Sequence, residues 1–213
     1  MQALEKTISS NNWITILLVV LLVFVFLLKG LNSFRLKGII VAFFNNGFTE
    51  EESEDRRTFF KSFDIIILFF TISVFSLLLY GFLIHYLEKK EDGFLTFGKI
   101  FLITSFYFII KWYLEYLISI LFLIKSEVRF FLVSKSTYLY TISFVLFIAV
   151  ILFMYTDLGF VFLSFLAIGL LLVRFAFHIA DNKKLISSKF FYFILYLCAF
   201  EIAPLLILFK LMF

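Results

Sequence analysis

The sequence predicts an all-α, polytopic integral membrane protein with about six transmembrane helices in one bundle. Composition is the first ground: of 213 residues 63% are hydrophobic, 22% aromatic and only 16% charged, with a mean hydropathy of +1.09. A soluble fold with that make-up would expose large apolar patches, whereas a bilayer solvates them. The second ground is a series of long apolar runs, each near the roughly 20 residues that a helix needs to cross ~30 Å of hydrocarbon. The third is the placing of the basic residues, which gather mainly in the short segments between runs. A single proline and eight glycines leave the helices few breaks.

The first run extends from Trp13 to about Leu31. The preceding MQALEKTISSNN holds one Lys and one Glu, and no small-x-small cleavage site follows the run, so it is expected to stay as an anchor. Residues 32–60 then form a cytoplasmic loop. Its first half, Leu31 to Phe48, is apolar enough to lie as an interfacial helix, although Arg35 and Lys37 would fall about 200° apart on it. Its second half, Thr49 to Arg57, reads as a solvated lead-in to the next helix, with Thr49 and Glu52 spaced as a capping box, or as a docking site for a cytoplasmic partner.

The second run covers Phe63 to Leu87 and the third Phe97 to Ile124. The fourth, Tyr138 to Tyr155, is followed only by Thr156 and Asp157 before the fifth, Leu158 to Ala180; this predicts a tight helical hairpin with Asp157 as N-cap. The sixth covers Phe190 to Phe213. With no internal repeat and no low-complexity linker, residues 1–213 read as a single domain.

Charge sets the expected orientation. Thirteen basic residues lie in loops one, three and five, from Lys29, Arg35 and Lys37 through Lys125, Arg129 and Lys135 to Arg174 and Lys189. Five lie on the other side: Lys6, Lys89, Lys90, Lys99 and Lys210. The positive-inside rule puts the odd loops in the cytoplasm and both termini in the periplasm. The net charge of +4 is therefore a topology signal and not a nucleic-acid patch.

Three ionisable residues sit near the middle of apolar runs: Lys111, Glu115 and Glu201. Each is expensive in hydrocarbon, about +2.5 to +3.5 kcal/mol for Lys or Asp at a helix centre, so each calls for an interior partner. Lys111 and Glu115 are one turn apart on one helix face. Glu201 lies about 12 residues into the sixth run, roughly 18 Å along its axis, at a depth like that of Lys111. Pro204 beside it can free carbonyls for a buried donor or water. A Lys111, Glu115 and Glu201 cluster is the preferred site, serving helix register, a proton or ion pathway, or contact with a partner subunit.

Arg174 and His178 form a secondary pair, one turn apart near the cytoplasmic end of the fifth run. Arg174 can snorkel to the headgroups or reach inward to a carboxylate. Asp64 and His85 read as interfacial, and Tyr80, Tyr107, Tyr113, Tyr116 and Tyr138 as bundle hydrogen-bonders or belt residues. Cys198 is the only cysteine, so no disulfide and no cysteine-based metal site is expected.

One catalytic pattern half matches. Glu51, Glu52 and Arg56 spell E-E-x-x-x-R and His178 with Asn182 spells H-x-x-x-N, like two motifs of the membrane-embedded prenyl-protein-processing proteases. The third, F-x-x-x-H, fails because Gly81 stands four residues before His85. Nucleotide, zinc-protease and serine-hydrolase signatures are absent, and no cofactor is expected.

The segments RLKGIIVAFFNNGF, FIIKWYLEYLISILF and LCAFEIAPLLILFKL, the last two carrying Lys111, Glu115, Glu201 and Pro204, resemble an inner-membrane family of Bacteroidota catalogued as domain of unknown function family 4271. The resemblance covers nearly the whole chain. It implies a bacterial inner-membrane location and brings no activity, cofactor or catalytic residues. The expected function is that of a non-enzymatic subunit or scaffold of an envelope complex, partnered by the lipid bilayer and other membrane subunits and not by nucleic acid. The alternative is a small transporter or ion-coupled channel using the mid-bilayer cluster.

Overall fold

The computed structural model describes residues 12–42, 47–48, 52, 62–87, 93–121, 125–156 and 159–181. Among the described residues there are six helices: α1 Asn12–Leu31, α2 Ser33–Ile40, α3 Ser62–Leu87, α4 Phe94–Leu121, α5 Lys125–Tyr155 and α6 Phe160–Asp181. Five of these are long and apolar enough to cross a membrane; α2 is the short exception. The fold is all-α and polytopic, as composition predicts. The sixth predicted span, 190–213, and Asp157 lie outside the described residues.

The spanning helices run in alternating directions. Trp13 at the start of α1 packs edge-on to Tyr80 late in α3 (5.1 Å between ring centroids) and against Phe97 early in α4 (5.3 Å). Phe160 at the start of α6 meets Phe153 at the end of α5 (5.6 Å) and His85 at the end of α3 (5.0 Å). One end of the bundle is therefore aromatic. Arg174, late in α6, reaches Lys135, early in α5, at the opposite end.

The helices α3 and α5 form the centre, with 50% and 56% of their spanning windows buried, against 22%, 17% and 17% for α1, α4 and α6. Along their spanning stretches both are apolar with scattered buried hydroxyls, Thr71, Ser73 and Ser76 on α3 and Ser134, Thr137, Thr141 and Ser143 on α5. Phe70 stacks on Phe144 (4.9 Å) and lies edge-on to Phe147 (5.4 Å) between them. Gly81 makes room for Phe160: a Cβ there would lie 2.8 Å from its Cε2. The outer helices turn Phe26, Phe106, Phe165 and Leu172 outward, where lipid solvates them.

Two differences from the sequence reading matter for the site. The segment expected to be loop three is helical, because α5 begins at Lys125, thirteen residues before the predicted Tyr138. Its charges were read as marking a loop, yet a helix carries them readily and nothing in KSEVRFFLVSKST breaks one. The result is that Ser134, Lys135 and Thr137 are buried in the bundle. The second concerns extent: within Leu31 to Phe48, read as a loop able to form an interfacial helix, α2 covers Ser33–Ile40, one residue beyond α1.

Candidate functional site

Asn32 forms the corner that leads into the site. Its N–H still closes the last turn of α1 on Leu28 O (3.1 Å), while its extended backbone and its Oδ1, which accepts from Arg35 N (2.9 Å), open α2. This is an N-cap built from the residue type that favours it. The short helix then turns Arg35, Leu36 and Ile39 inward and leaves Lys37 outside. The 200° between Arg35 and Lys37, which blurred the amphipathic pattern in the sequence, is the angle between an inner cation and an outer one.

Arg35 lies between two carboxylates from distant parts of the chain. Its Nε donates to Glu52 Oε1 at 2.7 Å and its Nη2 to Asp64 Oδ1 at 2.6 Å. Nη2 also pairs with the same oxygen of Glu52. The side chains of Arg35, Glu52 and Asp64 are only 10%, 9% and 14% exposed. Phe63 covers the guanidinium, with its ring centroid 4.6 Å from Cζ, so a cation–π contact closes the apolar side. Asp64 stands in the first turn of α3, where a carboxylate also complements the helix dipole.

Burial works against the charge on Arg35. The hydrogen bond to Glu52 and the negative charges of Asp64 and Glu52 together outweigh it, and hold the Arg35 pKa above its ordinary value. Arg35 is thus a fixed cation that ties α2 and the segment holding Glu52 to the start of α3. A second tie fixes α2 to α5, where Thr141 Oγ1 donates to Ile39 O at 2.6 Å. Deeper in the bundle the Thr71 and Ser143 hydroxyls meet at 3.1 Å, joining α3 to α5. Among the described residues the buried hydroxyls of Thr104, Ser134 and Thr137 have no hydrogen-bond partner.

The residues singled out in the sequence are described only in part. Lys111 is half-buried on α4, with its Nζ 5.7 Å over the Tyr107 ring. Glu115 follows one turn later on the same helix and is described by its backbone alone; Glu201 and Pro204 lie outside the described residues. Arg174 donates from its Nη2 to the backbone carbonyl of Lys135 at 3.2 Å. His178, one turn on, is described by its backbone alone. His85 is exposed beside Phe160. Tyr80 and Tyr138 are buried, while Tyr113 is exposed.

Sequence reasoning missed the Arg35, Glu52 and Asp64 group. In the sequence Arg35 reads as an orientation charge, Glu52 as a capping residue and Asp64 as interfacial. The available signal was the Asn32 cap three residues ahead of Arg35, which fixes where a helix starts and hence which side Arg35 takes. Of the half-matching protease pattern, Glu52 pairs with Arg35, while Glu51, Arg56 and Asn182 lie outside the described residues. Among the described residues no three His, Cys, Asp or Glu side chains gather as metal ligands would.

A protein-family model described as "Domain of unknown function (DUF4271)" matches residues 14–212. No curated protein and no solved structure matches the chain.

Proposed function

The chain belongs to the DUF4271 family, and on that footing we propose that it is a non-enzymatic, multi-pass protein of a bacterial inner membrane, serving as a small subunit or scaffold of a cell-envelope membrane complex. The observation that carries this reading is the use made of the buried charges. Arg35, Glu52 and Asp64 satisfy one another and hold three separate stretches of chain in one geometry. Buried polar groups of this kind favour a unique arrangement of helices more than they favour stability, which suits a part whose task is to present a fixed surface to neighbours.

In the proposed orientation the ion-paired end faces the cytoplasm and the aromatic end the periplasm, in line with the excess of basic residues in the odd-numbered loops. Purification in mild detergent tests the role. Stoichiometric co-purification of other membrane proteins is the expected result; an isolated homo-oligomer that conducts protons or ions in liposomes would overturn it.

A second reading, a transporter or ion-coupled channel, draws on one specific feature. The α4 helix carries Lys111 and Glu115 one turn apart, on the side that also carries the buried Ile100 and Thr104. In that reading the pair works with Glu201 near mid-bilayer. Glu201→Gln separates the two: normal accumulation with lost flux supports transport, whereas loss of the protein itself supports a structural role.

A further inference from the structure

The outward side of α2 has a composition that its inward ties do not explain. Phe34 is 71% exposed, Ile40 47% and Val41 41%, and Leu31 at the end of α1 is 52% exposed. At 100° per residue Phe34, Lys37 and Val41 fall within about 60° of one another. They lie away from Arg35, Leu36 and Ile39, which face the ion pairs and α5. Lys37 is exposed on this side, and Lys29 is exposed in the last turn of α1. Beside Gly30 the space is open, since a Cβ there would meet nothing within 4 Å.

The surroundings say what covers this face. It follows directly on a membrane-spanning helix that exposes Val19, Val23 and Phe26, since α2 starts after the single residue Asn32. Large apolar side chains rimmed by lysines are the pattern of a helix lying in the headgroup layer. The inward face is held by Asp64, Glu52 and Thr141, so the helix cannot roll its apolar side under.

We propose that the outward face of α2 and the last turn of α1 form a docking surface for anionic phospholipid, with Lys29 and Lys37 taking the headgroup phosphate and Phe34 and Ile40 set among the upper acyl carbons. This goes beyond the subunit reading and does not depend on it. Each lysine at such a surface is worth roughly five-fold in preference for an anionic lipid, and the two together roughly 30-fold.

The test presents the full-length chain, in mild detergent, with equal amounts of phosphatidylglycerol and phosphatidylcholine, and reads the bound lipid by native mass spectrometry. The wild type should hold phosphatidylglycerol in preference by roughly 30-fold, and Lys29→Gln with Lys37→Gln should bring the ratio close to one. Equal binding by the wild type, or a preference that the double variant keeps, would overturn the proposal. A second measurement places a nitroxide at Phe34→Cys, and separately at Val41→Cys, in a Cys198→Ser background in mixed vesicles of the two lipids. Greater access to oxygen than to a water-soluble nickel chelate is expected at both. The reverse at both, as for a face kept for a soluble partner, would sink the idea.

Discussion

A guanidinium buried between two carboxylates responds differently to losing itself and to losing the whole group. Arg35→Met leaves Glu52 and Asp64 facing each other in a site about nine-tenths buried, and should cost about 3–5 kcal/mol. The triple variant Arg35→Met, Glu52→Met, Asp64→Leu should recover most of that loss, because apolar groups of similar volume need no solvation. Unfolding in mixed micelles would measure both; a triple variant no better than the single would show that the ion pairs themselves supply net stability. The pKa of Arg35 is raised in the fold, so its contribution is fully present below the ordinary arginine value and is lost only as pH climbs through the raised one. No alkaline step from Arg35 should therefore appear in the unfolding temperature between about pH 7 and pH 10. Glycine offers a cleaner contrast. Gly81→Ala must push the Phe160 ring aside, while Gly98→Ala meets nothing within 4 Å. The first should lower the unfolding temperature through overpacking of about 1–3 kcal/mol, and the second should not.

Between elements, two kinds of contact hold α3 against α5, and their sizes differ. The Thr71 and Ser143 hydroxyls lie 3.1 Å apart, and each is also within reach of a carbonyl of its own helix, Ile67 O and Tyr140 O; with two protons for three contacts, one hydroxyl donates to the other while that one donates to its carbonyl. Each hydroxyl therefore keeps a partner when the other is lost. A double-mutant cycle with Thr71→Ala and Ser143→Ala should give a coupling of about 0.6 kcal/mol, the average for such pairs in membranes. Phe70→Ala empties the stack against Phe144 and Phe147 and should cost about 3 kcal/mol or more. A coupling above about 2 kcal/mol would mean that the hydroxyl pair, and not the aromatic stack, sets the spacing of the two central helices.

For the molecule as a whole, the spans were legible because a bilayer imposes a length and a composition that any run of apolar residues reveals. Helix α3 was foreseen as Phe63 to Leu87 and found as Ser62–Leu87. The start of α5 was not, since a rule that reads charge as loop cannot recognise a helix that carries Lys125, Glu127, Arg129 and Lys135. The ion cluster was illegible for a different reason. Glu52 and Asp64 stand 17 and 29 residues from Arg35, so the grouping exists only once α1 has turned the corner into α2. The excess of basic residues in the odd-numbered loops, with the proposed sixth span, leads to an expected topology: a reporter joined after Phe213 should be active in the periplasm, and one placed after Lys37 should be active in the cytoplasm. The opposite pattern would invert the orientation while leaving the packing untouched.

The corner at Asn32 works like a key cut to a single depth. One residue closes the first helix and opens the second, so nothing there can absorb a change in phase. An alanine inserted between Ser33 and Phe34, inside α2, would turn the rest of that helix by about 100° and advance it by about 1.5 Å relative to the Asn32 cap. That would swing the guanidinium out of its slot and drag Phe34 inward. Such a lengthened chain should unfold more easily than any single substitution at Arg35, and a second insertion could not restore the original alignment until roughly a full helical turn had been added.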